Sequence, residues 1–100
     1  MPKISVSVAH QEAISSAAEK ARPALEQTVQ DFQGRDLDIQ WHDADADFSF
    51  KSMAFTIKGT VAVDESQITV SVDLPVVAMI YKDKAEKAIR KNLTRAFAGE

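Results

Sequence analysis

Alternating apolar and polar residues between positions 48 and 74 constrain the fold of this chain more than any other feature. Because successive side chains of a strand point to opposite faces, this spacing predicts three strands that share one apolar face. The residues between are mostly Thr, Ser, Lys and Asp, so the other face is predicted to meet water. The apolar positions are Phe48 and Phe50, then Phe55, Ile57, Val61 and Val63, then Ile68, Val70, Val72 and Leu74.

Shifts in this pattern predict where the strands turn. The apolar parity moves from odd at Trp41 to even at Phe48 and back to odd at Phe55, which predicts a turn within 42–47 and either a tight turn or a bulge at 52–54. A polar segment at 64–67 separates the last two strands. Pro75 ends the final strand, because proline cannot donate to a ladder.

Two further strands are predicted upstream, at positions 3–9 and 37–41, where apolar residues also alternate. Between them, positions 11–33 carry apolar residues at intervals of three and four, which predicts an amphipathic helix. Gly34 is predicted to close this helix in a left-handed conformation. His10 stands where a Ser or Asp cap is usual. Pro23 predicts either a kink or two helices that meet at that point.

A second helix is predicted to open at Asp83, with Glu86 three residues later as a capping box. The order β-α-β-β-β-β-α therefore predicts one α+β domain over residues 1–100, in which two helices pack on one face of an antiparallel sheet.

Composition excludes several classes of protein. The chain has no cysteine, so disulfides and thiolate metal sites are excluded and a reducing cytoplasm is expected. No apolar run approaches the roughly 20 residues of a membrane span, and the N-terminus does not have the pattern of an export signal. The net charge of −3 argues against a nucleic-acid binder. Charge is unevenly spread, however: residues 82–95 carry +4 and the remainder −7.

No motif for catalysis or metal binding stands out. The segment Asp43-Ala44-Asp45-Ala46-Asp47 has the acidic spacing of a calcium loop but lacks its glycine and its final carboxylate, so an acidic hairpin turn is the better interpretation. The two histidines, His10 and His42, lie at the ends of different elements without a third ligand. No nucleophile elbow or phosphate-binding glycine loop is present. We therefore predict no catalytic residue, no metal ligand and no cofactor.

Two neighbouring features have the chemistry of a binding surface. The densest apolar run is Val76–Tyr81, which is either core or an exposed patch that touches a hydrophobic surface. The helix after it carries basic residues on one side, which form either a solvated face or a contact for acidic partners or anionic lipid. The candidate binding residues are Val76, Val77, Met79, Ile80 and Tyr81, with Lys84, Lys87, Lys91 and Arg95.

One longer pattern extends over nearly the whole chain, including Pro2-Lys3-Ile4 and His10. Its parts are Trp41, Phe48-x-Phe50, the segment from Phe55 to Val63 with Gly59 at its centre, the segment from Ile68 to Leu74-Pro75-x-x-Ala78, and the basic helix. In these residues the chain resembles the bacterial polyhydroxyalkanoic acid system (granule-region) proteins, although Pro23 departs from that pattern. The resemblance implies a link to granules of polyhydroxyalkanoate, a hydrophobic polyester, and implies no catalytic residues.

Three hypotheses follow. The leading one is a small non-enzymatic cytoplasmic protein that binds a granule surface, or a protein on it, through the candidate residues. The second is a lipid- or acyl-binding domain with an apolar cavity between helices and sheet, lined by Phe48, Phe50, Met53, Phe55 and the kink at Pro23. The third is a homodimer whose interface is the apolar run Val76–Tyr81.

Overall fold

A computed structural model describes residues 3–97, and the predicted order β-α-β-β-β-β-α is confirmed there. The helices are α1 (Ile14–Asp31) and α2 (Lys82–Ala96), and a 3₁₀-helix, η1 (Val76–Tyr81), connects the last strand to α2. The strands are β1 (Lys3–Ala9), β2 (Gly34–His42), β3 (Asp45–Ser52), β4 (Phe55–Val63) and β5 (Gln67–Asp73).

The five strands form one antiparallel sheet in the order β1-β5-β4-β3-β2. The predicted alternation is confirmed, because Phe48, Val61 and Val70 are buried on the inner face. The outer face carries rows of polar side chains, such as Lys3, Asp73 and Lys58 on neighbouring strands. The sheet therefore has one packed side and one wet side, as predicted.

Both helices cover the inner face and lie side by side, with α1 toward β2 and α2 toward β1. They bury Leu25 of α1 and Ile89 and Leu93 of α2, each contributing about 1.5–3 kcal/mol by leaving water. Asn92 joins the two helices, since its amide donates to the Thr28 hydroxyl at 2.8 Å and to the Asp31 carboxylate at 3.0 Å. These two bonds satisfy the amide hydrogens of a polar side chain that is buried in the packed layer.

The limits of α1 differ from the prediction. The helix begins at Ile14 rather than position 11, and it runs without interruption through Pro23, so the alternative of two helices is wrong. Gln33, not Gly34, takes the left-handed conformation after it, with φ 55°. Gly34 opens β2, where a Cβ atom would stand 2.7 Å from Val29 Cγ1. Close packing, rather than the helix stop, therefore requires glycine at position 34.

His10 ties the start of α1 to the sheet rather than capping the helix. Ala13 is the cap residue and makes no side-chain cap bond. The buried His10 ring bonds the Asp64 carbonyl through Nε2 at 2.8 Å and accepts the Glu12 N–H at Nδ1 at 3.0 Å. It also stacks on Phe97 with ring centroids 5.4 Å apart.

The capping box predicted for α2 is absent among the described residues. The helix begins at Lys82, and its cap residue, Tyr81, makes no side-chain cap bond. The reason is that η1 runs directly into α2, and the Lys82 N–H donates to the Met79 carbonyl. Backbone carbonyls of η1 thus take the place that a capping side chain would have filled.

The turn predicted within 42–47 is confirmed, and of the two alternatives at 52–54 the tight turn is correct. Both are two-residue hairpin loops, Asp43-Ala44 and Met53-Ala54. Their first residues have positive φ, 58° for Asp43 and 56° for Met53, which is the pattern of a type II′ turn. β2 is longer than predicted because a bulge between Arg35 and Asp38, with Asp36 at φ 58°, carries the strand back to Gly34.

Candidate functional site

The connection η1 presents an apolar surface to solvent. Val76 and Val77 are each 67% exposed and Ile80 is 82% exposed, whereas Ala78 is only 5% exposed. Met79 and Tyr81 are also exposed. The interpretation of this run as core is therefore wrong for every residue except Ala78.

The geometry of a 3₁₀-helix explains this division. With three residues per turn, side chains at i and i+3 lie above one another. Val76 and Met79 form one row, and Val77 and Ile80 form a second, both toward solvent. Ala78 and Tyr81 form the third row, which faces the cavity described below. Pro75 fixes the start of η1, and its carbonyl accepts the Ala78 N–H at 2.9 Å.

The basic row of α2 continues from this apolar surface. Lys84, Lys87, Lys91 and Arg95 are all exposed. Within residues 3–97, none of the four lies within 4.0 Å of a carboxylate oxygen. Eleven residues of helix separate Lys84 from Arg95, or about 16 Å. The structure thus places Lys84 beside η1, and Arg95 near the far end of α2.

A cavity of about 180 Å³ opens beside η1, between the two helices and the inner face of the sheet. The four side chains that the cavity hypothesis named, Phe48, Phe50, Met53 and Phe55, all line it. Pro23 is not among the lining residues, so that part of the prediction is wrong. The α1 residues at the cavity come from the last two turns of the helix, beginning at Leu25.

Polar groups at this cavity are largely occupied by bonds within the protein. Thr28 and Ser52 donate their hydroxyl hydrogens to the carbonyls of Ala24 and Phe32, at 2.8 and 2.7 Å. Hydrogen bonds from Asn92 and Gln27 lower the pKa of the Asp31 carboxyl below its ordinary value. The wall therefore has little spare hydrogen-bonding capacity, and the exposed Lys84 and Tyr81 lie at its rim.

Sequence reasoning missed several residues of this region. It did not connect Tyr81 and Lys84 with the cavity, nor Val29 and Ile89 with its wall. Val29 is far in the chain from the other three, and only the packing of both helices on the same end of the sheet brings it to them. A partial signal was present, because Tyr81 and Lys84 are three residues apart at the start of a helical segment.

The acidic segment interpreted as a hairpin turn does form the β2–β3 hairpin, with His42 paired to Asp45. In the part of the chain that the structure describes, no group of three His, Cys, Asp or Glu side chains is arranged to hold a metal ion. Neither described helix is long and apolar enough to cross a membrane.

Comparison with known proteins identifies a family. The family model described as "Putative polyhydroxyalkanoic acid system protein" matches residues 4–97, and thus every element from β1 to α2. No curated protein and no solved structure matches the chain significantly.

Proposed function

Because the chain belongs to the polyhydroxyalkanoic acid system (granule-region) family, we propose that it is a non-catalytic cytoplasmic protein that binds the polyester surface of polyhydroxyalkanoate granules. The observation that carries this proposal is the exposure of the η1 side chains, Val76, Val77 and Ile80 above all. A protein interior would normally cover such residues, and a contiguous exposed apolar patch marks an interaction surface.

The expected energetics favour a weak contact that basic residues strengthen. Burying an exposed aliphatic side chain contributes about 1.5–3 kcal/mol. Burial of the four exposed residues Val76, Val77, Met79 and Ile80 would therefore contribute a free energy comparable with the roughly 4–15 kcal/mol that association costs in lost translational and rotational freedom. Lys84 and Lys87 lie in the first two turns of α2, the helix after η1, and they would meet acidic groups at the granule, such as the carboxylate ends of polyester chains. The proposed apolar contact and the proposed charged contact would then share one continuous surface.

Cosedimentation with purified granules tests the proposal. Native granules and granules stripped of their coat proteins are each incubated with the full chain and pelleted. Recovery in both pellets supports binding to the polyester itself. Recovery only with native granules would show that the chain binds a coat protein and not the polyester. Recovery entirely in the supernatant in both cases would contradict the proposal.

A matched pair of variants localises the contact. Ile80→Asp places a charge in η1, and we expect it to lower the pelleted fraction several-fold. Ile14→Asp makes the same change at another exposed isoleucine, the first residue of α1. The helix ends near η1 at Asp31, about 25 Å from Ile14. Ile14→Asp should pellet as the wild type does. Equal loss in both variants would show that η1 is not the contact.

A second copy of the chain is the competing occupant of η1. Light scattering of the wild type at high concentration distinguishes the two. A monomer agrees with the surface role. A dimer that Ile80→Asp dissociates would assign η1 to self-association and overturn the proposal.

A further inference from the structure

The cavity beside η1 has the shape of a ligand site, and it is distinct from the outer surface of η1. Its wall comes from both helices and the sheet: Leu25 and Val29 of α1, Ile89 of α2, and Phe50 and Val72 of the sheet. All five are buried apolar residues. An apolar cavity of about 150 Å³ is large enough to bind benzene. The volume of about 180 Å³ therefore suits an alkyl chain of about six carbons.

The interior accepts hydrocarbon and little else. Within residues 3–97, no buried side-chain nitrogen or oxygen lacks a hydrogen-bond partner. The hydroxyls of Thr28 and Ser52, the two buried polar residues of the wall, already donate to backbone carbonyls. A polar ligand group placed deep in the cavity would lose its hydrogen bonds to water without replacement, which is unfavourable. The polar end of any ligand must therefore lie at the opening.

Charge at the opening selects the kind of polar end. The exposed lining residues include Lys84, Tyr81 and Asp31. Both carboxylate oxygens of Asp31 accept amide hydrogens, one from Gln27 at 2.9 Å and the other from Asn92 at 3.0 Å. The Lys84 ammonium has no carboxylate partner among the described residues. The opening thus combines a cation without a carboxylate partner, a phenol hydroxyl that can donate a hydrogen bond, and one carboxylate, Asp31, whose two oxygens are held by Gln27 and Asn92.

We propose that this cavity binds a medium-chain monocarboxylate of about six carbons, with its alkyl chain among Val29, Val72 and Ile89 and its carboxylate at Lys84 and Tyr81. The outer rows of η1 take no part in this binding, so the site is distinct from the proposed granule contact except for Lys84, which belongs to both. It adds a small-molecule site to a protein for which only a surface contact is proposed above.

Hexanoate is the probe, and the methyl signals of the full-length protein in a ¹H–¹³C spectrum are the readout. We expect saturable shifts at Val29, Val72 and Ile89. Acetate has the same head without the chain, and hexylammonium has the same chain with the opposite charge; both should bind at least severalfold more weakly. No saturable shift, or shifts confined to Val76, Val77 and Ile80, would overturn the proposal. Equal binding of hexylammonium would overturn the assignment of the head group.

Two lysine variants test the opening without disturbing the wall. Lys84→Gln should weaken hexanoate binding about three- to fivefold, which is the scale of an exposed ion pair. Lys87→Gln changes an exposed lysine one turn further along the same helix, outside the cavity, and should leave the affinity within twofold. If both variants weakened binding equally, Lys84 would act only through the overall positive charge of the helix, and its assignment to the carboxylate would be wrong.

A filling variant tests the wall. Ala85 lies at the cavity on α2, and Ala85→Leu should occupy the space and abolish hexanoate binding. Because η1 is unchanged, this variant should still pellet with granules if the surface proposal holds, so failure of one proposal is distinguishable from failure of the other. If Ala85→Leu does not fold, the ligand comparison and the lysine pair still decide the question.

Discussion

The ring of Phe48 occupies the space where Gly59 lacks a side chain. The two residues are directly paired on β3 and β4, and a Cβ atom at position 59 would lie 2.4 Å from Phe48 Cζ and 2.5 Å from the Ser71 carbonyl oxygen. Phe48 is buried and lines the cavity. The glycine therefore lets an aromatic ring lie flat against the sheet at the base of the cavity.

Gly59→Ala should destabilise the protein by about 1–3 kcal/mol, since the ring or the neighbouring strand must move to admit a methyl group. The free energy of unfolding in urea measures this. Thr60→Ala is the matched control, because Thr60 is the next residue of β4 and is exposed on the outer face. An unfolding free energy for Gly59→Ala equal to that of the control would show that Phe48 has room to shift.

His10→Ala should cost about 1–3 kcal/mol, because it removes both ring bonds and leaves the Asp64 carbonyl and the Glu12 N–H without their partner. It also removes the stacking on Phe97. Urea unfolding measures the loss. His42→Ala is the control, since His42 is exposed at the end of β2. Similar small losses in both variants would mean that water replaces the His10 bonds.

The periodic elements were predictable because their signal is local. Alternation such as Ile68, Val70 and Val72 reports which side of a strand is buried, whatever the strand order. The confirmed hairpins followed from parity shifts of the same pattern, for example between Trp41 and Phe48. The register of pairing, such as Phe48 opposite Gly59, depends on contacts between strands, and the alternation alone does not define it.

Helix ends were less predictable because tertiary contacts decide them. The sequence predicts a helix stop at Gly34, yet Val29 and Phe50 leave no space there for a Cβ atom, and Gln33 adopts the left-handed conformation instead. Asp83 and Glu86 had capping-box spacing, yet η1 carbonyls precede the helix and make the box unnecessary. Local sequence describes what a residue favours, and it does not include the neighbours that the fold brings to it.

The candidate site was predictable in composition but not in shape. The apolar run Val76–Tyr81 and the basic row after it are visible in the sequence. Whether the run is buried depends on whether another element covers it, and no described element covers its outer rows. The cavity depends on the gap between α1, α2 and the sheet, and its volume reflects how large side chains such as Phe50 and Ile89 fit together.

Stability should fall in acid. Hydrogen bonds lower the pKa of three carboxyls: from Lys20 and Ser16 to Glu12, from Asn92 and Gln27 to Asp31, and from the Ser66 and Gln67 backbone to Asp64. A lowered pKa in the folded state means that the unfolded chain binds protons first. The stability these groups contribute is therefore complete above their ordinary values, 4.5 for Glu12 and 3.8 for both aspartates, and is lost as the pH falls through the lowered values.

Urea midpoints between pH 7 and pH 3 measure this effect. Asn92→Ala removes the first of the bonds to Asp31, so its midpoint should fall less between these two pH values than that of the wild type. Ile89→Val is the control, because it costs about 0.5–1.5 kcal/mol in the core without touching Asp31. It should keep the wild-type pH dependence. If the urea midpoint of Asn92→Ala fell as steeply with pH as that of the wild type, the hydrogen bond to Asp31 would not be a source of the acid sensitivity.

Two isoleucines with opposite exposure illustrate the difference between residues that stabilise the fold and residues that are available for binding. Ile80 of η1 is 82% exposed and Ile89 of α2 is 3% exposed. Ile80→Ser should change the free energy of unfolding by no more than about 0.5 kcal/mol, as exposed substitutions do. Ile89→Ser leaves a cavity and buries a hydroxyl, and should cost about 3 kcal/mol or more. Urea unfolding of the two variants at low protein concentration gives the comparison. A large loss in Ile80→Ser would show that η1 packs against the protein itself, and its apolar side chains would then be unavailable to a granule.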